Sequence, residues 1–153
     1  MRILFVCHGN ICRSPMAEFI MKDLVRKRGI SDRFEIESCA TSTEELGNDI
    51  YPPAKRCLSS HGIPFERRSA RQMTKADYDR YDIIIAMDSA NIYNMRRFVG
   101  DDPDEKVSMM MSYCGKDKDV ADPWYTGDFE RTFDDISEAC EGLLESLIPA
   151  IKY

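Results

Sequence analysis

The stretch that decides the fold is RILFVCHGNICRSP, residues 2–15. Its first part holds an unbroken apolar run from Ile3 to Val6, which predicts a buried strand. Its last part holds Ser14 and Pro15, residue types that suit the N-cap and the first position of a helix. A short loop therefore joins a buried strand to the start of a helix.

The rest of the chain repeats this alternation. Apolar runs predict strands at 2–7, 34–38, 82–87 and 106–111. Helical segments are predicted near 15–29, 53–61, 75–80, 89–98 and 128–150. Apolar strands that alternate with helices are typical of a parallel sheet covered on both faces. We therefore predict a single α/β domain over residues 1–153, with a central parallel sheet of about four strands and helices on both faces.

Two patterns mark individual helices. The last helix carries an apolar stripe at steps of three and four, formed by Phe129, Phe133, Ile136, Cys140, Leu143 or Leu144, and Leu147. We expect this stripe to face the core. Thr74 and Asp77 fit a capping box, which predicts a helix start at that point.

The charge balance limits the kinds of partner. The chain has 27 acidic and 21 basic residues, a formal net charge of −6 at pH 7. Nucleic acids and anionic membranes attract basic surfaces, so we expect neither as a partner. The N-terminal apolar run is too short for a signal-peptide core, and no run approaches the ~18 residues that span a bilayer. These features predict a cytoplasmic protein.

The six cysteines stand at positions 7, 12, 39, 57, 114 and 140. A chain of this size needs no disulfide framework, so we expect most of them to be free thiols. No pair has the C-x-x-C spacing of a zinc site, and His8 and His61 are far apart in the sequence. We therefore expect no metal and no cofactor.

The loop after the first strand is the expected place for chemistry, because ligands of open parallel sheets bind where strands end. The free N–H groups of the following helix can bind a phosphate-sized anion there. Gly9 and Asn10 tolerate the positive φ that such a loop requires. Cys7 lies in the same positive field, which favours its thiolate, and the planar fork of Arg13 can donate two hydrogen bonds to a phosphoryl group. The loop thus combines a nucleophile with an anion-binding site.

Several motifs together resemble those of one known family. The segment VCHGNICRSPMAE, with DPWY at 122–125, is similar to the two signature motifs of the low-molecular-weight protein tyrosine phosphatases. The resemblance continues through SCATSTEELGN at 38–48, HGI at 61–63, ARQMT at 70–74 and MDSAN at 87–91. It covers nearly the whole chain and implies the α/β fold of that family, with a phosphate-binding loop after strand 1.

The resemblance implies a catalytic role for three residues. Cys7 is the nucleophile that forms a cysteinyl-phosphate, Arg13 binds the phosphoryl group, and Asp122 serves as general acid and then as base. The residues alone would not single out Asp122 among 27 acidic side chains. The other implied phosphate-binding positions are His8, Gly9, Asn10, Ile11, Cys12 and Ser14.

The resemblance also implies residues around the loop. Ser38 and His61 form a polar network with Asn10 and Ser14 that holds the loop in shape. Apart from the resemblance, the position of Asp88 at the end of the third predicted strand predicts that it faces the loop and pairs with Arg13. The implied substrate pocket is lined by Ile11, Glu44, Trp124 and Tyr125.

Two positions differ from the usual pattern of the family, and a third has two possible roles. Glu44 stands where many relatives have an aromatic residue, and Trp124 stands where the family usually has tyrosine. The resemblance implies for Cys12 either a reversible disulfide with Cys7, which protects the nucleophile, or simple packing beneath the loop.

Three alternatives share this loop chemistry. Thioredoxin-coupled arsenate reductases relay oxidation to further cysteines, yet residues 70–95 contain none. Protein-arginine phosphatases typically have threonine where this chain has Ile11. A non-catalytic phospho-binding module would tend to lose the nucleophile or the acid, and both are present. We therefore expect a monomeric, metal-independent phosphatase that acts on phosphotyrosine proteins or small aryl phosphates and releases inorganic phosphate.

Overall fold

The computed structural model describes residues 1–152 of the chain. The strands are Arg2–Cys7 (β1), Glu35–Ala40 (β2), Ile83–Ala86 (β3) and Val107–Met109 (β4). The α-helices are Arg13–Lys27 (α1), Pro52–Ser60 (α2), Lys75–Arg80 (α3), Ser89–Val99 (α4), Pro123–Thr126 (α5) and Phe129–Lys152 (α6). Short 3₁₀ segments cover Ser31–Arg33 and Met110–Cys114. The predicted domain boundary at residue 153 lies outside the described residues.

The four strands form one parallel sheet, as predicted, and the structure shows their order to be β2-β1-β3-β4. Strand β1 is central, because Ile3 lies opposite Ile36 of β2 and Ile83 of β3. The order of strands across the sheet changes direction at β1. Strand β2 is added on one side of β1, and the chain then crosses over to form β3 on the other side. Such a switch point opens a crevice at the carboxyl ends of the strands, and the loop after Cys7 lies there.

The core confirms that helices cover both faces of the sheet. Ile3 and Phe5 belong to a buried cluster that includes apolar residues of α1, α2 and α6. Leu4 and Val6 point the other way, into a cluster with residues of α3 and α4. All four side chains are fully buried, which explains why β1 reads as a continuous apolar run rather than an alternating one.

Strand β4 ends earlier than predicted, because the chain turns into a 3₁₀ segment at Met110. Successive residues of a strand face opposite sides of a sheet. Met110 and Met111 are both fully buried in the same cluster on one side of the sheet. A 3₁₀ turn lets two consecutive side chains reach that cluster, which a continued strand would not allow.

The predicted start of α1 was wrong by two residues. The helix begins at Arg13 rather than at Pro15, and Ser14 is inside the first turn instead of capping it. Pro15 is still compatible with the helix, because N–H groups of the first turn have no partner within the helix. The hydroxyl of Ser14 is thereby free for the loop.

Helix α6 confirms the predicted stripe, since Phe133, Ile136, Cys140, Leu143, Leu144 and Leu147 are buried and Phe129 is partly buried. Gly142 allows the helix to approach the 3₁₀ segment closely, because an added Cβ would overlap the carbonyl oxygen of Tyr113. The capping box of Thr74 and Asp77 is also confirmed. Within residues 1–152, every helix is too short or too polar to cross a membrane.

Candidate active site

The loop between β1 and α1 borders a cavity of about 130 Å³. The cavity is lined by Cys7, His8, Gly9, Asn10, Ile11, Cys12 and Arg13 of the loop, and by Glu44, Glu45, Asp122, Trp124 and Tyr125 from other segments. The structure therefore brings together at one cavity the three predicted catalytic residues, the predicted pocket residues and most of the predicted phosphate-binding positions.

The first peptide groups of the loop turn their carbonyls away from the cavity. The carbonyl oxygens of Cys7 and His8 accept hydrogen bonds from the N–H groups of Thr41 and Ser42, at 2.9 and 3.1 Å. All peptide bonds of the described chain are trans, so each carbonyl points opposite to the following N–H. The N–H groups of His8 and Gly9 therefore point away from residues 41–42, and both residues line the cavity.

The end of the loop repeats this arrangement. The carbonyl of Ile11 accepts from the N–H of Tyr51 at 2.9 Å, and that of Cys12 accepts from Met16 at 3.0 Å. By the same geometry, the N–H groups of Cys12 and Arg13 point the opposite way. The loop thus offers amide donors from both of its ends, and the amino end of α1 adds its positive dipole.

Asn10 has the positive φ predicted for the loop, at 60°. The prediction was wrong for Gly9, which does not have a positive φ. Gly9 instead leaves room for a neighbour, because a Cβ there would lie 3.3 Å from Cγ of Glu45. The left-handed conformation of an asparagine needs support from its surroundings, since it is disfavoured for residues with a side chain.

A hydrogen-bonded network supplies that support. The amide nitrogen Nδ2 of Asn10 donates to Oγ of Ser14 at 2.8 Å and to Oγ of Ser38 at 3.0 Å, so both of its hydrogens are used. The hydroxyl of Ser38 then donates to Oε1 of Glu18 at 2.6 Å. The hydroxyl of Ser14 has Sγ of Cys7 at 3.0 Å and can donate to it. The network thus directs a hydroxyl donor toward the sulfur of Cys7.

Two cysteines of the loop have different surroundings. Cys7 is within reach of Oγ of Ser14 and of the N–H of Asn10, which lies 3.3 Å from its Sγ. Burial raises the pKa of the Cys12 thiol well above its usual range, and the neighbouring Cys7 and Asp122 raise it further. Burial thus favours the neutral thiol of Cys12, whereas the sulfur of Cys7 has a hydroxyl and a backbone N–H within hydrogen-bond distance.

Arg13 is buried and held by fixed partners. Its Nη1 donates to Oδ2 of Asp88 at 2.7 Å and to the carbonyl of Val120 at 2.9 Å, which confirms that it pairs with Asp88. Burial alone would lower the pKa of the guanidinium, but Cys7, Asp88 and Asp122 raise it above its ordinary value. Because Nη1 is fully used, the Nε and Nη2 edge of the fork is the edge that can bind a phosphoryl group.

Asp122 reaches the cavity from a distant segment of the chain. One carboxylate oxygen accepts from the N–H of Trp124 at 3.0 Å and caps the short helix α5, while the other lies 3.4 Å from Nη2 of Arg13. The contact with Trp124 fixes the orientation of the carboxylate. Asp122 therefore borders the same space as Cys7 and the binding edge of Arg13.

Aromatic and acidic side chains both line the cavity. Trp124 and Tyr125 are 51% and 83% exposed, and the ring of Trp124 lies 4.8 Å from that of Tyr51. Glu44 also lines the cavity, and its Oε2 lies 2.8 Å from Nε2 of His8, a predicted loop residue. An aryl group that enters the cavity would thus find both aromatic rings and carboxylates in its lining.

A family model described as low molecular weight phosphotyrosine protein phosphatase matches residues 2–151. The low molecular weight protein-tyrosine-phosphatase YfkJ of Bacillus subtilis is 39% identical over 148 residues, which cover 95% of this chain and 94% of the relative. This chain belongs to the low molecular weight phosphotyrosine protein phosphatase family.

Solved structures agree with membership of this phosphatase family. The crystal structure of YfkJ from Bacillus subtilis matches with a TM-score of 0.94 and 38% identity, covering 98% of this chain and 96% of that chain. A crystal structure described as DARP, drosophila arginine phosphatase, matches with a TM-score of 0.86 and 31% identity, covering 97% and 98% of the two chains. The fold is therefore shared with proteins whose names refer to two different phosphoresidues.

The predicted place of His61 in the loop network is corrected by the structure. Its Nε2 lies 2.6 Å from Oε2 of Glu130, and its ring stacks on Phe133 at 3.8 Å. These contacts hold the imidazole between α2 and α6. The other predicted members of the network, Ser38, Asn10 and Ser14, are together as described above.

Three members of the network, Arg68, Arg71 and Glu18, were missed by sequence reasoning. The guanidinium of Arg68 donates to Oδ1 of Asn10, and the N–H of Arg71 reaches the same oxygen at 3.3 Å. These donors identify which atom of the Asn10 amide is the oxygen. Nothing in the sequence near Arg68 signals this contact. Glu18 could have been found, because it follows Ser14 by four residues and so lies on the same face of α1.

Proposed function

We propose that this phosphatase hydrolyses phosphotyrosine monoesters, in proteins or as small aryl phosphates, through a phosphorylated Cys7. The observation that carries the proposal is the convergence of Cys7, Arg13 and Asp122 on one cavity. A nucleophile, a bidentate anion donor and a carboxyl group are the parts that such a displacement needs. Catalysis in this scheme uses no metal ion.

In the first step, Sγ of Cys7 attacks phosphorus and the bond from phosphorus to the phenolic oxygen breaks. The amide donors of the loop and the guanidinium of Arg13 stabilise the charge on the phosphoryl oxygens as it redistributes. Asp122 gives its proton to the departing oxygen, so that a neutral phenol leaves. The products of this step are a cysteinyl-phosphate and an ionised Asp122.

In the second step, Asp122 takes a proton from a water molecule that attacks phosphorus. The bond from phosphorus to sulfur breaks, inorganic phosphate forms and the Cys7 thiolate returns. The donors from Asn10 and Ser14 stabilise that thiolate as a leaving group. The cycle therefore restores the protonated Asp122 and the thiolate with which it began.

The rim supports an aryl substrate. Trp124 and Tyr125 provide exposed rings beside the cavity, and Ile11 adds an apolar surface within it. Stacking of a substrate ring on such a wall contributes about 1 kcal/mol. The six free cysteines support a reducing compartment such as the cytoplasm.

Cys12 supports a reversible redox step at the same site. It lines the same cavity as Cys7, and both are free thiols. Oxidation of Cys7 by a peroxide to the sulfenic acid, with loss of water on attack by the Cys12 sulfur, would give a disulfide that a thiol reductant reopens. Mass spectrometry after peroxide treatment should find the Cys7–Cys12 linkage, and activity should return on reduction. Its absence, with no recoverable activity, would contradict this step.

Phosphoarginine is the second candidate substrate. The similarity to a structure described as an arginine phosphatase favours it, and the acidic rim of Glu44 and Glu45 would suit a guanidinium. Ile11 favours an aryl group instead, because an apolar side chain leaves the donors of a guanidinium unpaired.

The deciding experiment compares turnover of phosphotyrosine and phosphoarginine peptides by the wild-type protein and by Cys7→Ser and Asp122→Asn. We expect phosphotyrosine to be preferred in kcat/KM and Cys7→Ser to be inactive on both. Preference for phosphoarginine would support the second candidate. Binding of vanadate without turnover of either substrate would indicate a phospho-binding module.

A further inference from the structure

A second cluster of reactive side chains lies outside the active site, between α2 and α6. It consists of Cys57 and His61 at the end of α2 and Glu130 in the first turn of α6. One sulfur, one nitrogen and one carboxylate oxygen of these residues all lie within 4.8 Å of one another. Each belongs to a residue type that binds transition metals.

The spacing of the residues explains how the fold assembles this cluster. Cys57 and His61 are four residues apart, so one turn of helix places them on the same face. Glu130 approaches both of them from α6, with its Oε1 3.6 Å from Sγ of Cys57 and its Oε2 2.6 Å from Nε2 of His61. Asp134 lies one turn further along α6 and is close enough to influence Cys57 electrostatically.

The donor set identifies the class of cation. Thiolate, imidazole and carboxylate together are the ligands of zinc, which binds them at about 2.3, 2.0 and 2.1 Å in a tetrahedron. Ligand atoms around such an ion are roughly 3.5 Å apart. The 3.6 Å between Sγ of Cys57 and Oε1 of Glu130 matches this spacing, and the 2.6 Å between Nε2 of His61 and Oε2 of Glu130 must widen by about 1 Å, which their exposed side chains allow. Calcium and magnesium are excluded by the sulfur and nitrogen donors, because they prefer oxygen ligands.

The surroundings suit a site with partial access to solvent. Cys57 is buried, whereas His61 and Glu130 reach the surface, so an ion can enter from outside. The ring of His61 is oriented by stacking on Phe133. The carbonyl oxygen of Phe129 also lies 3.6 Å from Sγ of Cys57. A water molecule or Asp134 would complete four-coordination.

We propose that Cys57, His61 and Glu130 form a zinc-binding site that joins the end of α2 to the start of α6. The proposal is independent of the proposed phosphatase activity, and the ion takes no part in phosphoryl transfer. Zinc replaces the thiol proton of Cys57, which passes to solvent, and forms bonds to sulfur, nitrogen and oxygen without any change of oxidation state.

The position of the site gives it a structural consequence. Tyr51 directly precedes α2, and its ring lies 4.8 Å from that of Trp124 and 6.1 Å from that of Phe129. A bound ion would hold the two helices together beside the segment that carries Asp122. Zinc should therefore raise the thermal stability of the folded chain, since a ligand that binds only the folded state stabilises it.

The test uses Co²⁺ as a spectroscopic substitute for zinc in full-length Cys7→Ser/Cys12→Ser protein, which removes the thiols of the active site. We expect a thiolate-to-cobalt charge-transfer band that saturates at one equivalent and disappears when zinc is added. The further change Cys57→Ser should abolish the band. Cys114→Ser is the matched control, because it removes a partly exposed thiol elsewhere and should leave the band unchanged.

Two surface variants keep the test valid if Cys57→Ser disturbs folding. His61→Gln and Glu130→Gln, made in the same background and checked by circular dichroism, should each weaken Co²⁺ binding at least about tenfold. Zinc should raise Tm in the parent protein and much less in these variants. No charge-transfer band in the parent, a band that survives Cys57→Ser, or unchanged affinity in both surface variants would overturn the proposal.

Discussion

The two sides of the active-site cavity are built in opposite ways. The loop side is buried, since Asn10 and Ser14 have no exposed surface, and each is held by several hydrogen bonds. The acid side is a four-residue helix with exposed rings, where Trp124 and Tyr125 are 51% and 83% exposed. The buried side can fix the nucleophile and the phosphate donors in place. The exposed side is accessible to substrates of different shape.

This contrast predicts different effects of substitutions on the two sides of the cavity. Changes on the loop side should damage the fold and the reaction together, because the same hydrogen bonds serve both. Changes on the acid side should alter kcat or KM while the fold is kept, because few buried contacts depend on them. The effects expected on the two sides can be tested by the following substitutions and labelling experiments, from the largest expected effect to the smallest.

Asp122→Asn should lower kcat by roughly 10²–10⁴-fold, because the amide cannot donate or accept the proton in either step. The loss should be larger for phenyl phosphate than for p-nitrophenyl phosphate, whose leaving group needs less protonation. Steady-state kinetics on both substrates measure this. Asparagine can still accept from the N–H of Trp124, so Tm should change little.

Asp117→Asn is the matched control for that change, since it removes an exposed carboxylate from the same loop outside the cavity. It should leave kcat unchanged. Equal losses on the two substrates, or a loss in the control, would contradict the role of Asp122 as a general acid.

Iodoacetamide at neutral pH should modify Cys7 about a hundredfold faster than Cys12. Burial raises the pKa of Cys12, so its reactive thiolate is scarce at neutral pH and increases only as the pH rises toward that raised value. Fragment mass spectrometry locates the label within the loop peptide. Inorganic phosphate should protect Cys7 and leave the slow labelling of the half-exposed Cys114 unchanged. Equal rates at Cys7 and Cys12 would contradict the difference between them.

Asn10→Ala should lower the free energy of unfolding by about 2–3 kcal/mol, because buried hydroxyls lose their donor and alanine is strained at a positive φ. It should also reduce kcat. Urea unfolding and kinetics measure both effects. Asn94→Ala, on the outer part of α4, is the control and should change stability by no more than about 0.5 kcal/mol. A stable but inactive Asn10→Ala would contradict the claim that the same hydrogen bonds support both stability and catalysis on the loop side.

Trp124→Ala should raise KM for aryl phosphates several-fold, as expected from the loss of about 1 kcal/mol of stacking. The fold should be unaffected, because half of the side chain is already exposed. Trp124→Phe should recover most of the KM, and Tyr93→Ala, an exposed aromatic on α4, should have no effect. A large loss of kcat or of Tm in Trp124→Ala would show that the acid side is not the adaptable one.

The parts of the molecule that could be predicted from sequence are those set by local patterns. The apolar run of β1 and the stripe of α6 predicted the sheet and its covering helix, because periodicity reflects burial directly. Cys7 and Arg13 could be found because they share one short loop with the start of α1. Asp122, in contrast, was identified only through the resemblance of DPWY to the family.

What could not be predicted depends on contacts between distant segments. Arg68 reaches Asn10 across 58 positions of the sequence, and no local pattern indicates such a pairing. His61 was misplaced because HGI, by resemblance, suggested the loop, whereas its helix delivers it to Glu130. The Cys57 cluster was missed for the same reason, because Glu130 is distant from Cys57 and His61 in the sequence and the three residues lack the short spacing of familiar zinc motifs.

The most direct test of the account is to trap the intermediate. Wild-type protein and Asp122→Asn are mixed with an activated aryl phosphate, quenched within the first turnover and analysed by fragment mass spectrometry. The account predicts a phosphoryl group on the sulfur of Cys7, more abundant in Asp122→Asn because water is activated more slowly there. Turnover in the wild type with no phosphoryl group on Cys7, or with one on another residue, would contradict it.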